Sequence, residues 1–430
     1  MKGLLKRPGV VDVRYVALAA FLLLYPLAAI AMRGSASALL IAAGLVALWV
    51  EITSPRTSTD TEVRRDVDWS IRATCAAMAV PLIAVFLSEV WHTQMRWSAF
   101  DTPSRFLVAV PLFLVLRRVP LRWMRWCDLS FMVAAFAALG IGLWYGRDWG
   151  GQRLSSKFLN PIHYGDMALA LGMLSVLSLN WWRKDTLMVR VLKVGGLLAG
   201  LATSLLSGSR GGWLAIPAIL LLVVIVRGRN KSSRWRWLVP VTAVLGLTAV
   251  YLVSAPIQAR FHELWSDLSQ FALGHKDTSV GIRLQIYHAA LILTENNPLF
   301  GLGAGGFCSN LQALVDAGQM TPMARELGCG EAHNQLLAFT VAYGVLGGLG
   351  IIAIHLMPAI LCWRYLHSPI APMRRAGLMG MVFAAAFFVF GLTVEIFTLK
   401  QTVSFYAAVM AILAGIAAHA GHPSDRIYKR

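Results

Sequence analysis

Apolar runs of about 18–22 residues recur through most of the chain, each long enough to cross the roughly 30 Å hydrocarbon layer as a helix. They lie near 14–32, 36–52, 73–90, 105–119, 127–144, 161–182, 191–208, 211–226, 237–255, 335–361, 377–397 and 403–420. The polar–apolar alternation over about ten residues that marks a barrel strand is missing. The pattern therefore predicts an all-α polytopic membrane protein of about twelve transmembrane helices, a single membrane domain over 1–430. The runs at 191–208 and 211–226 are short and separated only by Ser207-Gly208-Ser209-Arg210-Gly211-Gly212, which predicts a tight turn between two helices. Gly344, Gly347 and Gly348 predict close packing of one helix on another. No internal repeat is visible.

One long polar segment, 256–333, breaks the pattern and ends at Glu331-Ala332-His333-Asn334-Gln335, where a new apolar run begins. Within it, 280–296 reads as an amphipathic helix with Ile282, Ile286, Ala289 and Leu293 on one face. Arg283 and Tyr287 share the adjacent face at i, i+4, and Asn296-Asn297-Pro298 stops the helix. Residues 257–272 read as a second, with Phe261, Leu264, Leu268 and Phe271 apolar. Both are expected to lie in the interface and wall a cavity open to the bilayer.

Composition agrees: 57% of the 430 residues are hydrophobic and 14% charged, against about a quarter charged in soluble proteins. The net charge of +18 does not point to nucleic acid, because the Lys and Arg residues gather in alternate segments between apolar runs. That is the positive-inside pattern, with membrane lipids as a secondary partner. It predicts cytoplasmic N- and C-termini and puts 256–333 outside. The first run is expected to be a retained helix, since a second follows at once; cleavage near Ser35-Ala36-Ser37-Ala38 is the alternative. Cys75, Cys127 and Cys362 are expected to be free. Cys308 and Cys329 lie in the outer segment, where an oxidising compartment favours a disulfide over two free thiols.

The basic residues on the outer side need individual reasons: Arg33, Arg96, Arg105, Arg147, Arg153, Lys157, Arg210, Arg260, Lys276, Arg283, Arg325 and Lys400. Solvation or headgroup contact accounts for Arg33, Lys276 and Arg325. Arg210 is flanked by glycines at a helix–helix turn. A charge at membrane depth costs roughly 2.5–3.5 kcal/mol, so it needs an anionic partner, a phosphate or a structural carboxylate. Free backbone N–H groups at the start of the next helix favour an anion there, with Ser207 and Ser209 as further donors. His333, at the mouth of the tenth run, is suited to take a proton from a hydroxyl, and Glu331 could orient it. His163 competes for that role, and an ordinary interfacial histidine is the alternative for His333. Glu89, Asp166 and Glu395 are further acids near outer run ends, without metal-ligand spacing. Gly301, Gly303 and Gly306 match a dinucleotide fingerprint, but no strand precedes them, so a hinge or tight turn is the expectation.

Several of these stretches together resemble a known family. They are Ser209-Arg210-Gly211-Gly212-Trp213-Leu214-Ala215, Gly281-Ile282-Arg283-Leu284-Gln285-Ile286-Tyr287, Asn297-Pro298-Leu299-Phe300-Gly301-Leu302-Gly303 and His333-Asn334-Gln335-Leu336-Leu337. In this order they resemble the O-antigen ligase family, whose superfamily includes O-antigen polymerases and bacterial O-oligosaccharyltransferases. The resemblance implies a GT-C-type glycosyltransferase of the bacterial inner membrane with a periplasmic active site. The implied donor is an O-antigen glycan on undecaprenyl diphosphate, and the implied acceptor is a sugar hydroxyl of lipid A–core. Carried over by motif, Arg210 and Arg283 become contacts to the diphosphate and His333 the general base, with neither metal nor other cofactor. Candidate additional site residues are His163, Ser209, Tyr287, Arg147, Arg153 and Lys157. A polymerase or protein O-glycosylating enzyme uses the same donor, and a lipid-linked glycan transporter is the non-enzymatic alternative; charge gathered at one face favours an enzyme.

Overall fold

A computed structural model describes residues 13–53, 68–93, 95–145, 153–228, 248, 252 and 255–420. Helices dominate: α1 (Val13–Ala31), α2 (Ser35–Thr53), α3 (Trp69–Trp91), α4 (Asp101–Leu116), α5 (Cys127–Tyr145), α6 (Pro161–Leu177), α7 (Leu187–Ser207), α8 (Arg210–Gly228), α9 (Ala255–Ala272), α10 (Ser279–Asn296), α11 (Gly306–Asp316), α12 (Pro322–Gly330), α13 (Gln335–Arg364), α14 (Ala371–Gly391) and α15 (Lys400–Ala417). No strand occurs among the described residues, and nine of their helices are long and apolar enough to cross a membrane. The protein is an all-α polytopic membrane protein. The predicted run 237–255 lies almost wholly outside the described residues; each of the others lands on a helix.

Burial sorts these helices. The apolar window of α15 is 94% buried, whereas α1, α2 and α7 bury 33% of theirs. A helix that is apolar all round is buried when protein surrounds it and lipid-facing when it does not. α15 is thus the axis of the bundle, wrapped by α2, α4 and α14. Around it Phe383, Phe387, Phe397, Phe405 and Tyr406 form one aromatic cluster with centroid separations of 4.7–6.4 Å. α6 is only 17 residues long but is buried along nearly its whole length, so protein rather than lipid encloses it.

Lys193, in the first half of α7, is fully buried. Its ammonium meets Asp128 at 2.9 Å and Asp185 at 3.1 Å, and donates to Ser178 O at 2.9 Å. The triad ties α7 to α5 and to the loop before α7. Lys193→Met strands two buried carboxylates. Removing one partner of a buried pair typically costs about 3 kcal/mol or more, so this variant is expected to unfold at a clearly lower temperature in detergent. An unchanged melting point would show the triad to be dispensable.

Two expectations are corrected. The run at 377–397 is not one helix to its end. α14 begins with Ala371-Pro372, the proline sitting where its missing N–H costs nothing, and stops at Gly391. Residues 392–399 form a turn instead. The second correction concerns Gly344, expected to pack helices together. It breaks α13: Tyr343 (φ −127°, ψ 17°) and Gly344 (φ 69°, ψ −167°) both leave the helical region. The segment 298–303 crosses this break. Leu302 N–H donates to Val341 O and Gly303 N–H to Ala342 O, both at 2.9 Å, while Val345 N–H donates to Pro298 O at 2.8 Å. Irregular backbone within a membrane protein persists where protein groups satisfy its polar atoms, and here the crossing segment supplies them.

Candidate active site

The turn at 392–395 gathers the candidate residues. Asn334 caps α13, its Oδ1 accepting from Leu336 and Leu337 N–H at 3.0 and 3.1 Å, while its Nδ2 donates to Leu392 O at 3.3 Å. Ala332 N–H donates to Glu395 Oε1 at 2.5 Å, and Glu395 N–H returns a bond to Glu331 Oε1 at 2.6 Å. Residues 331–334 are thereby stapled along 392–395 as a shelf. On it, His333 has φ +54°, a left-handed conformation costing roughly 1–2 kcal/mol for a residue with a Cβ. Such outliers persist where their surroundings over-determine them.

His333 Nδ1 is buried without a hydrogen bond, 3.8 Å from Glu331 Oε2. Burial holds the imidazole below its ordinary pKa of 6.5; Glu331 opposes that and Arg283 reinforces it. The ring is therefore neutral at neutral pH. Burial also pushes Glu395 up to about 7, with Glu331 adding to the shift and the Ala332 N–H opposing it.

α10 docks against this shelf. The four residues expected on its apolar face, Ile282, Ile286, Ala289 and Leu293, are all buried. The adjacent face turns Arg283 and Tyr287 toward the shelf. Tyr287 Oη lies 3.0 Å from His333 O and 3.3 Å from Leu392 O. Arg283 is half-buried, within electrostatic reach of both His333 and Tyr287, and has no ion-pair partner among the described residues. The Cys308–Cys329 disulfide forms, joining α11 to α12 just ahead of the shelf, and Cys75, Cys127 and Cys362 are free.

The Ser207–Gly212 turn reaches the same place from the other side. α8 opens at Arg210, and a Cβ on Gly211 would collide with Thr393; only glycine lets α8 approach that closely. Ser209 Oγ donates to the buried Asp166 Oδ1 at 2.7 Å. The Arg210 side chain lies outside what is described, as does Arg147. Arg153 binds this turn rather than the shelf, its Nε donating to Ser207 O at 2.8 Å. Lys157 is exposed. His163 joins from α6. Its Nδ1 lies 2.8 Å from Asn160 Oδ1 and its Nε2 3.3 Å from Glu395 O; both are acceptors, and a neutral ring, with one N–H, donates to one of them.

The glycine turn is tightly held. Gly301, Gly303 and Gly305 all have positive φ. Glu89 accepts from Ala304 N–H at 3.2 Å and from Arg96 N–H at 2.7 Å, the Arg96 guanidinium donates to Ala304 O, and His92 Nε2 faces Gly301 O at 3.0 Å. The end of α3 thus pins this turn, a role for Glu89, His92 and Arg96 that chain order does not reveal. The whole 392–395 turn was likewise hidden, because Leu392-Thr393-Val394-Glu395-Ile396-Phe397 reads as the tail of an apolar run.

The turn at 392–395 thus gathers the His333 imidazole, the Arg283–Tyr287 face of α10 and the first turn of α8 in one place. Residues 195–352, which include Arg210, Arg283, Tyr287 and His333, match the model of the family described as O-antigen ligase. The chain is 27% identical over 263 residues to an uncharacterized protein of Haemophilus influenzae, covering 60% of this chain and 64% of that protein. It is 20% identical over 220 residues to the O-antigen ligase of Escherichia coli, covering 51% of each. The matches thus span less than two thirds of either relative. Over residues 195–352 the chain is thus similar to the O-antigen ligase family, and the weaker likeness to the Escherichia coli protein points the same way.

Proposed function

We propose that the chain is an O-antigen ligase. It moves a glycan from undecaprenyl diphosphate to a sugar hydroxyl of lipid A–core, at a site on the periplasmic side of the inner membrane. The observation that carries this reading is the meeting of three separate segments on one turn: the His333 shelf, the Arg283–Tyr287 face of α10 and the first turn of α8.

The chemistry follows from that meeting. With Nδ1 turned toward Glu331, His333 presents Nε2 to the acceptor hydroxyl and takes its proton as the oxygen attacks the anomeric carbon. The bond from that carbon to the diphosphate oxygen breaks, and a single displacement inverts the centre. Negative charge builds on the departing diphosphate, where a fixed guanidinium stabilises it more than in the ground state. Arg283 is that guanidinium, with Arg210 the second by position. The lipid diphosphate itself supplies the driving force.

The test is a reconstituted reaction with lipid-diphosphate donor carrying a single repeat and purified core acceptor. Core bearing one repeat supports a ligase. Two repeats joined on the lipid carrier would instead show a polymerase, and no new glycosidic bond would end the enzyme reading.

Arg283→Ala is expected to weaken donor binding by about 10–100-fold, the loss of a hydrogen bond to a charged group. Lysine, a point charge without the planar fork, is expected to restore only part of it. Titration of a fluorescent lipid diphosphate measures both variants; full rescue by lysine would exclude bidentate recognition.

A further inference from the structure

We infer that Tyr287 is a positioning residue: its hydroxyl clamps the His333 main chain, making the donor-side helix α10 and the base one rigid unit. The inference rests on the reading of His333 as the base, and adds what holds it there.

Three observations carry it. First, His333 stands at φ +54°, a conformation the chain does not keep without help. Second, the Tyr287 hydroxyl is within hydrogen-bond distance of His333 O at 3.0 Å and Leu392 O at 3.3 Å. It has one proton, directed at the nearer carbonyl or shared between the two. Both acceptors belong to the two stapled segments, so the phenol closes the shelf from the α10 side. Third, Tyr287 is one helical turn beyond Arg283, and α10 is fixed to the protein by Ile282, Ile286, Ala289 and Leu293. Burial holds the phenol above its ordinary pKa, with Arg283 and Asn334 opposing and Glu331 adding, so it stays a donor at working pH.

The role differs from substrate contact. The hydroxyl is committed to the main chain, and what it governs is where the imidazole points. A base displaced by about 1 Å can lose two orders of magnitude in rate, so removing one oxygen atom has a disproportionate effect on turnover and little on donor affinity.

Tyr287→Phe removes the hydroxyl and leaves the ring. Expected are a fall of at least about tenfold in kcat, unchanged donor binding and an unchanged melting temperature. In a His333→Ala background the same change is expected to cost nothing further, since residues acting through one another are not additive. Hydrogen–deuterium exchange provides a readout independent of activity: amides in 331–335 should exchange faster in Tyr287→Phe. Unchanged exchange there overturns the clamp whatever the turnover. Full additivity with His333→Ala overturns the positioning role. If His333→Ala is as active as wild type while exchange rises in Tyr287→Phe, the clamp stands and the assignment of the base falls instead.

Discussion

His333→Ala is expected to lower turnover by about 10²–10⁴-fold, the usual contribution of a general base, while donor binding survives. The separation follows from where the charges sit. The diphosphate is assigned to Arg283 and the helix start at Arg210, which the substitution leaves in place, so the loss falls on kcat. The pH profile tests the same assignment. Because burial and Arg283 depress the folded pKa of His333 below 6.5, the neutral base persists into mildly acidic solution and the acid limb of the rate lies below pH 6.5. Linkage has the matching sign. His333 contributes stability that is present above pH 6.5 and lost as pH falls through its folded value. Glu395 runs the other way: its value is raised from 4.5 to about 7, so its contribution is present below 4.5 and lost as pH rises through about 7. The two opposed trends meet on one shelf. A His333→Ala enzyme that keeps the wild-type rate, or an acid limb that does not change, would remove the imidazole from the chemistry.

The helices were largely legible in advance, because apolar runs of membrane length have few alternatives in lipid. The face of α10 was legible too. Its 3.6-residue spacing puts Ile282, Ile286, Ala289 and Leu293 inward, and the same geometry carries Arg283 and Tyr287 to the site. The disulfide expected between the two cysteines of the polar 256–333 segment is present. What stayed hidden was non-local. Nothing in the run from Leu336 to Leu361 marks Gly344 as a break rather than a packing glycine, because the carbonyls freed there are satisfied by residues 298–303. Nothing in Leu392–Phe397 announces that this stretch abandons its helix to bind Glu331, Ala332 and Asn334. Hydropathy reports how greasy a residue is, not which partner takes its N–H. The competition between His163 and His333 was also undecidable from spacing. Their surroundings differ: both nitrogens of His163 lie close to carbonyl oxygens, whereas His333 Nδ1 has no hydrogen bond.

Gly344→Ala is expected to leave little folded protein. At φ 69° and ψ −167° the backbone occupies a region that is essentially restricted to glycine. The added methyl would also overlap Leu299 O and C and lie 2.8 Å from Phe300 N. These are main-chain atoms of the crossing segment, which cannot rotate aside as the end of a side chain can. Making room means expelling residues 298–303 from the break. That strips the partners from the Val341 and Ala342 carbonyls and the Val345 N–H, each stranded group costing about 1–3 kcal/mol. The disturbance spreads to the glycine turn pinned by Glu89 and Arg96 and, through the disulfide, toward the His333 shelf. Gly318→Ala is the control for a positive φ alone: Gly318 has the same φ of +69°, but a Cβ there would meet no atom within 4 Å. It carries backbone strain without the collision, so the yield of monodisperse protein after detergent extraction should stay near wild type for Gly318→Ala and collapse for Gly344→Ala. Equal yields would mean that residues 298–303 do not fill the break in the folded membrane protein, and the positions of the glycine turn and the shelf would have to be redrawn.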